Sequence, residues 1–223
     1  MEQRAADYCG THVPVDGEER VVQKRRNREE VVQAALELLD EEGIEKVTLR
    51  GVAKRLDAHL NTVSYQVGTK AHLFELMADA VLGDLDLDTL PDDPRQRVHA
   101  LAAGLRTVML SRRDGARLVA GTDAFQANTL RAADILAAAT LQLAADEATA
   151  VRTVWSIHYL VLGLTQEEQA GRSHMPSDGQ LGFSEQDYPA LHRLGARAVN
   201  EPFEERLRFG VEAMIAAAVD PPT

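Results

Sequence analysis

The sequence predicts an all-α chain built in two parts, and three observations carry that prediction. Aromatic residues make up 4% of the 223 residues, while alanine and leucine abound; this suits packed helices and is poor in the side chains that fill strands. Apolar residues recur every three to four positions from Val31 to Ala218, the period of a helix with one buried face. Capping side chains, glycines and first-turn prolines cut the pattern into segments of helical length.

Residues 1–23 hold Gly10, Pro14 and Gly17 and no apolar period, which predicts a disordered arm. Lys24, Arg25, Arg26 and Arg28 then make a basic start. It fits a solvated helix terminus and an arm lying in a groove equally well. The first helix spans about 27–42. Asn27 and Glu30 form a capping box, Val31, Val32, Ala35, Leu36 and Leu39 form its stripe, and Gly43 stops it. The second helix, 48–56, opens on the Thr48 hydroxyl and buries Val52, Ala53 and Leu56. Asp57, Ala58 and His59 turn the chain. The third helix, about 60–67, points Leu60, Val63 and Val67 inward and ends at Gly68. The fourth, 69–82, faces inward with Leu73, Leu76, Met77, Ala80 and Val81.

Residues 83–93, GDLDLDTLPDD, read as a linker. Asp84, Asp86 and Asp88 imitate a calcium loop, but the glycine at its sixth place and the glutamate at its twelfth are missing. Helices are then expected at 94–110, 114–119, 124–144, 146–171, 188–200 and 202–219, with Pro94, Pro189 and Pro202 at first-turn positions and a loop at 172–187. In 146–171, Val151, Val154, Trp155, His158 and Leu162 make one apolar face. Thr153, Ile157, Leu160 and Leu164 make another, so both faces are expected to be covered. In 202–219, Phe203, Leu207, Val211, Met214, Ile215 and Ala218 form one stripe, with Gly210 permitting close approach. One large monomeric core would use these helices. So would a dimer that joins them in a four-helix bundle, with the 202–219 stripe buried between subunits.

Several function classes lose support. The longest apolar run, 157–164, is eight residues, too short to span a membrane. The first ten residues are polar and charged, unlike a signal peptide. The single cysteine, Cys9, has no internal disulfide partner and fits a reducing cytoplasm. The seven histidines are scattered; metal-site, nucleophile-elbow and phosphate-loop spacings are absent. His158 and Glu167 could form an acid–base pair, but a pocket hydrogen-bonding group and a carboxylate describe them as well. The net charge of −11 looks wrong for a nucleic-acid binder. Yet residues 24–70 hold nine Lys/Arg against eight Asp/Glu, so the acidic excess lies elsewhere, and local sign at a contact face matters more than the total.

The outward side of the 48–70 hairpin is unusual. Asn61, Thr62, Ser64, Tyr65 and Gln66 replace the expected Glu and Lys, and no acid occurs from Ala58 through Ala71. Amides can read adenine edges, and hydroxyls can reach phosphates or a thymine methyl. Arg50 and Lys70 flank the face. Spacing alone does not separate this reading from a polar hairpin that packs on something else. The stretches AALELLDEEGIEKVTLRGVAKRL and NTVSYQV, with K-x-x-L at Lys70 to Leu73, bear on it. At this spacing, residues 28–82 resemble the DNA-binding domain of the tetracycline repressor (TetR) family: a three-helix unit with a helix-turn-helix, then a connecting helix. The resemblance implies DNA contacts from Thr48, Arg50, Asn61, Thr62, Ser64, Tyr65, Gln66 and Lys70 on a palindromic double-stranded operator. This chain departs from the family with Asp57 where a turn glycine is usual.

SRRDGARLVAGT at 111–122, YLVLGLTQEEQ at 159–169 and PALHRLGARAVNEPFEERLRFGVEAMI at 189–215 are similar to the ligand-binding domain of the tetracycline-type repressors. That implies a homodimer and an effector pocket lined by Leu101, Leu105, Val119, Thr122, Ile135, Val151, Val154, Trp155 and His158, with Glu167 reaching in from the partner subunit. Tetracycline-type repressors hold their drug as a magnesium chelate. Here Val119 stands for the metal-binding histidine, Leu101 for an asparagine and Ile135 for a glutamine. By a looser alignment Asp86 stands for the second histidine, and only Thr122 and Glu167 persist. The resulting expectation is an all-α repressor with an N-terminal helix-turn-helix domain at 24–70, a connecting helix and linker at 71–93, and an effector-binding and dimerisation domain at 94–223. It needs no metal or cofactor, resides in the cytoplasm and leaves its operator on binding a small, largely apolar molecule. A helical enzyme and a protein-binding dimerisation module are the alternatives.

Overall fold

The computed structural model describes residues 27–122, 125–171, 184–195 and 200–220, and every regular element among them is helical. The helices are α1 (Arg28–Glu42), α2 (Leu49–Arg55), α3 (Leu60–Val67), α4 (Lys70–Gly83), α5 (Pro94–Leu110), α6 (Gly115–Ala120), α7 (Ala127–Leu143), α8 (Glu147–Ala170), α9 (Pro189–Leu194) and α10 (Phe203–Val219). The N-terminal arm with Cys9 and the basic residues through Arg26 lie outside the described residues. So do most of the 172–187 loop and part of the 188–200 helix.

The expected capping box closes α1: Asn27 accepts from the Glu30 amide at 2.8 Å, and the Glu30 carboxylate accepts from the Asn27 amide at 3.1 Å. Thr48 caps α2, Thr69 caps α4, Asp93 caps α5 and Asp146 caps α8, each accepting from the third amide on. Such caps contribute about 1 kcal/mol each.

Two apolar cores result. The first joins Val31, Leu39, Val47, Val52, Val63, Val67, Leu73 and Met77 across α1–α4. Leu60 departs from expectation: it is 37% exposed because, as the first residue of α3, it sits at the rim of the bundle. Along α4, Leu73, Met77, Ala78, Val81 and Leu82 are buried, whereas Leu76 and Ala80 are only partly covered. The stripe is rotated because α4 packs on α6 and α7 as well as on α1, and Val108 and Leu118 join the same core.

The second core gathers Val98, Leu101, Met109, Leu136, Ile157, Val161, Leu207, Val211 and Ile215. It corrects the expected use of α10. Leu207, Val211 and Ile215 are 4%, 0% and 0% exposed within a single chain, so this stripe packs inward rather than between subunits. Gly210 of α10 makes room for Leu160 of α8: a Cβ on Gly210 would lie 2.6 Å from the Leu160 Cδ2 methyl. Along α8 only one face is covered. Thr153, Ile157, Val161 and Thr165 are buried, but Val151, Trp155 and Tyr159 are 57%, 53% and 64% exposed.

The turn from α5 to α6 locks the two cores together. Asp40 accepts from Arg112 at 2.9 Å and from the Arg113 amide at 3.1 Å, and Arg113 donates to the Glu41 carbonyl at 2.8 Å. Arg117 pairs with Glu45, and Asp114 accepts from the Ile44 amide at 2.9 Å. Asp40 and Glu45 thus dock the turn through their carboxylates, and Glu41 through its carbonyl. Gln169 of α8 holds the same turn, accepting from the Ala116 amide at 3.0 Å and donating to the Arg112 carbonyl at 2.7 Å.

Candidate nucleic-acid interface and effector site

The hairpin of α2 and α3 is set by its turn. Asp57 adopts φ 48°, the left-handed region that favours glycine and that Asp tolerates better than most. This gives the substitution at a glycine position of the family a physical meaning. The Ala58 amide then donates to the Ala53 carbonyl at 2.9 Å and closes the turn. Val63 and Val67 anchor α3 in the first core, which fixes the opposite face outward. Tyr65 is 87% exposed and Asn61 is exposed, while Thr62, Ser64 and Gln66 are half-buried at its margins.

Around this face, Arg50 is exposed on α2. The oxygen of Thr48 accepts from the Gly51 amide at 2.9 Å, leaving its proton to donate outward. Lys70 begins α4, with its ammonium 4.9 Å above the Phe74 ring. Sequence reasoning missed one contact. Arg28 donates to the Gln66 carbonyl at 3.1 Å, placing a cation at the C-terminal end of α3, where the helix dipole favours it. No periodicity signals a contact across 38 positions. Glu37 and Glu41, the acids of α1 nearest α2, are held by Arg55 at 3.0 and 2.6 Å. Those bonds keep the Glu41 carboxyl below the usual range.

The expected effector residues divide into three groups. Leu101 is buried, and Leu105, Val119, Ile135 and Val154 pack against the same core. His158 is half-buried, and burial pushes its imidazole below its ordinary value, so the neutral ring is favoured. Thr122 is half-buried, its hydroxyl donating to the Val119 carbonyl at 3.1 Å. Val151, Trp155 and Glu167 lie outside the core of the single chain. Val151 and Trp155 occupy the open edge of α8, and Glu167 faces solvent with Arg206 of the same chain at 3.4 Å.

Val151, Trp155, His158 and Leu162 recur at i, i+4, i+7 and i+11, a single edge of α8 at about 100° per residue. Trp155 stacks on Tyr159 at 5.7 Å and 26°, and meets His158 edge-on at 5.6 Å. An open cleft of about 370 Å³ elsewhere, between α6 and the end of α8, is lined by Asp114, Arg117, Gln166, Gln169 and Ala170 and includes none of the expected effector residues. No group of three or more His, Cys, Asp or Glu among the described residues could hold a metal ion. No helix among them is long and apolar enough to cross a membrane.

The chain is similar to known proteins over most of its length. The family described as Tetracyclin repressor-like, C-terminal domain, matches residues 89–217. The chain is 31% identical over 178 residues to the tetracycline repressor protein class A from transposon 1721 of Escherichia coli, covering 78% of this chain and 80% of the relative. It is 30% identical over 194 residues to the class G tetracycline repressor protein of Vibrio anguillarum, covering 83% and 90%. Among solved structures, a possible TetR family transcriptional regulator from Streptomyces coelicolor A3(2) superposes with a TM-score of 0.74 at 29% identity. That match covers 86% of this chain and 98% of the other.

Proposed function

The chain belongs to the tetracycline repressor family, and from that premise we propose that it is a homodimeric transcriptional repressor whose hold on operator DNA is released by a small molecule. The observation that carries this is the acid-free polar face of α3, directed outward because Val63 and Val67 are locked inside. We assign 24–70 to DNA binding, 71–93 to the connection and 94–223 to effector binding and dimerisation. Regulation rather than catalysis fits the chain's relatives, and a cytoplasmic location fits a DNA-binding role.

The second subunit docks on the uncovered side of the α8–α10 pair. Ser156, Tyr159 and Gly163 on α8 and Phe209, Ala213 and Ala217 on α10 are exposed there, an apolar surface of mostly small side chains that lets helices pack closely. In the dimer the two copies of α3 enter successive major grooves, which requires one spacing between them. An effector that binds better to another spacing lowers DNA affinity by that difference in affinity.

Helix α4 carries the change, since it packs on both cores. Its Asp79 accepts from the Thr129 amide at 2.9 Å and hydroxyl at 3.0 Å, and from the Asn128 side chain at 3.1 Å. The carboxylate of α4 therefore caps α7, a wall of the effector core.

The test is operator binding by variants. Asn61→Ala and Gln66→Ala should each cost about 1–3 kcal/mol and relax sequence preference. Lys70→Ala should weaken all duplexes about equally and flatten the salt dependence. Fluorescence anisotropy across a salt series reads both effects. A change of sequence preference in Lys70→Ala, with none in Gln66→Ala, would refute this docking.

A further inference from the structure

The edge of α8 formed by Val151, Trp155, His158 and Leu162 limits what the effector can be, on the reading that this chain is a ligand-released repressor. A magnesium chelate, which the family resemblance implies, does not fit the residues present. Leu101, Val119 and Ile135 carry no metal or hydrogen-bonding group. Asp86 is consumed in its own turn, accepting from the Thr89 hydroxyl at 2.6 Å and from the amides of Asp88 and Thr89. Glu167 lies at 3.4 Å from Arg206, and Thr122 already donates to a carbonyl. What remains is an apolar wall, an exposed indole and one imidazole, with no arginine or lysine among these lining positions.

We propose that the effector is an uncharged, planar, polycyclic molecule that stacks on Trp155 and exchanges one hydrogen bond with His158, without a metal. The indole is presented for stacking: it is 53% exposed, and Tyr159 supports it from one side at 5.7 Å. His158 stands edge-on to the indole and has no hydrogen bond to another described residue, so its polar capacity is open. An anionic ligand would set its charge against aliphatic side chains and an imidazole whose protonation burial disfavours, with no cation among these positions to meet it. A metal complex would lose water without gaining a protein ligand. The second subunit sits one step around the helix, on Ser156 and Gly163, with Tyr159 between that surface and the indole.

The chain contains a single tryptophan, so fluorescence of the full-length protein reports this position directly. The probes are neutral planar ketones of two to four rings, the same scaffolds bearing a carboxylate, and tetracycline with magnesium, each with and without EDTA. At least one neutral ketone should quench Trp155 saturably, unaffected by EDTA, and its carboxylate analogue should bind at least about tenfold more weakly. His158→Leu should weaken the neutral probe roughly three- to tenfold. Trp155→Leu should weaken it further by thermal shift.

Saturable binding of magnesium–tetracycline that EDTA abolishes would overturn the proposal. So would preference for the carboxylates, or a Trp155 signal that no neutral probe changes. Operator binding is measured on the same samples. Protein that binds operator but no neutral ketone refutes this inference alone, whereas protein that binds ketones but no duplex refutes the repressor reading.

Discussion

Val211→Glu should leave no folded protein. Val211 is fully buried among α5, α8 and α10, so the new carboxylate would enter an apolar core without a partner. An uncompensated buried charge costs about 3–5 kcal/mol or more, and the loss of the valine packing adds to it. That is comparable to the whole stability of an ordinary domain, about 5–15 kcal/mol. Circular dichroism and sedimentation should show unfolded or aggregated chain. Phe209→Glu makes the contrast. Phe209 is 76% exposed on the outer side of α10, so that variant should keep its helices and sediment as a monomer. A helical, monomeric Val211→Glu protein would return the α10 stripe to the subunit interface.

Gly115→Ala should also destabilise the fold, and from a single methyl group. The glycine opens α6 immediately after Asp114, which has φ 53°. A Cβ there would lie 2.2 Å from the Met109 carbonyl oxygen and 3.2 Å from the Arg112 Cβ. The obstruction is backbone, so the turn must move. Moving it disturbs the Asp114 bond to Ile44 and the Gln169 bonds to Ala116 and Arg112. Overpacking of this kind costs about 1–3 kcal/mol. Urea unfolding should show a loss near the upper end. Because the same turn docks α1, operator affinity should fall in the protein that remains folded. An unchanged midpoint with unchanged DNA affinity would mean that the turn is neither tight nor coupled.

Local signals foretold local structure well. The Asn27–Glu30 box, the Thr48 hydroxyl and the Gly68 stop each act within four residues, and each appears where the sequence places it. The division into a polar outward face and an apolar anchor on α3 was legible for the same reason, through Val63 and Val67. What the sequence did not reveal depends on which helix lies opposite. The stripe of α10 is equally apolar whether it meets its own α8 or another subunit, and periodicity cannot tell these apart. Likewise nothing local foretells that Asp40 and Glu45 meet Arg112 and Arg117 from about 70 residues away. The effector positions came through family resemblance rather than spacing. The structure brings Leu101, Leu105, Val119, Ile135 and Val154 into a single core and leaves Trp155 and Val151 on its open edge.

The most direct test of the central claim is selection of DNA by the full-length protein from a random duplex pool, followed by footprinting of the winner. The account predicts enrichment of a palindrome whose two half-sites are protected one helical turn apart, or a multiple of it, by a dimer. Gln66→Ala should lose that preference. Enrichment of no sequence, or uniform retention of all duplexes with the same affinity in Gln66→Ala, would contradict it.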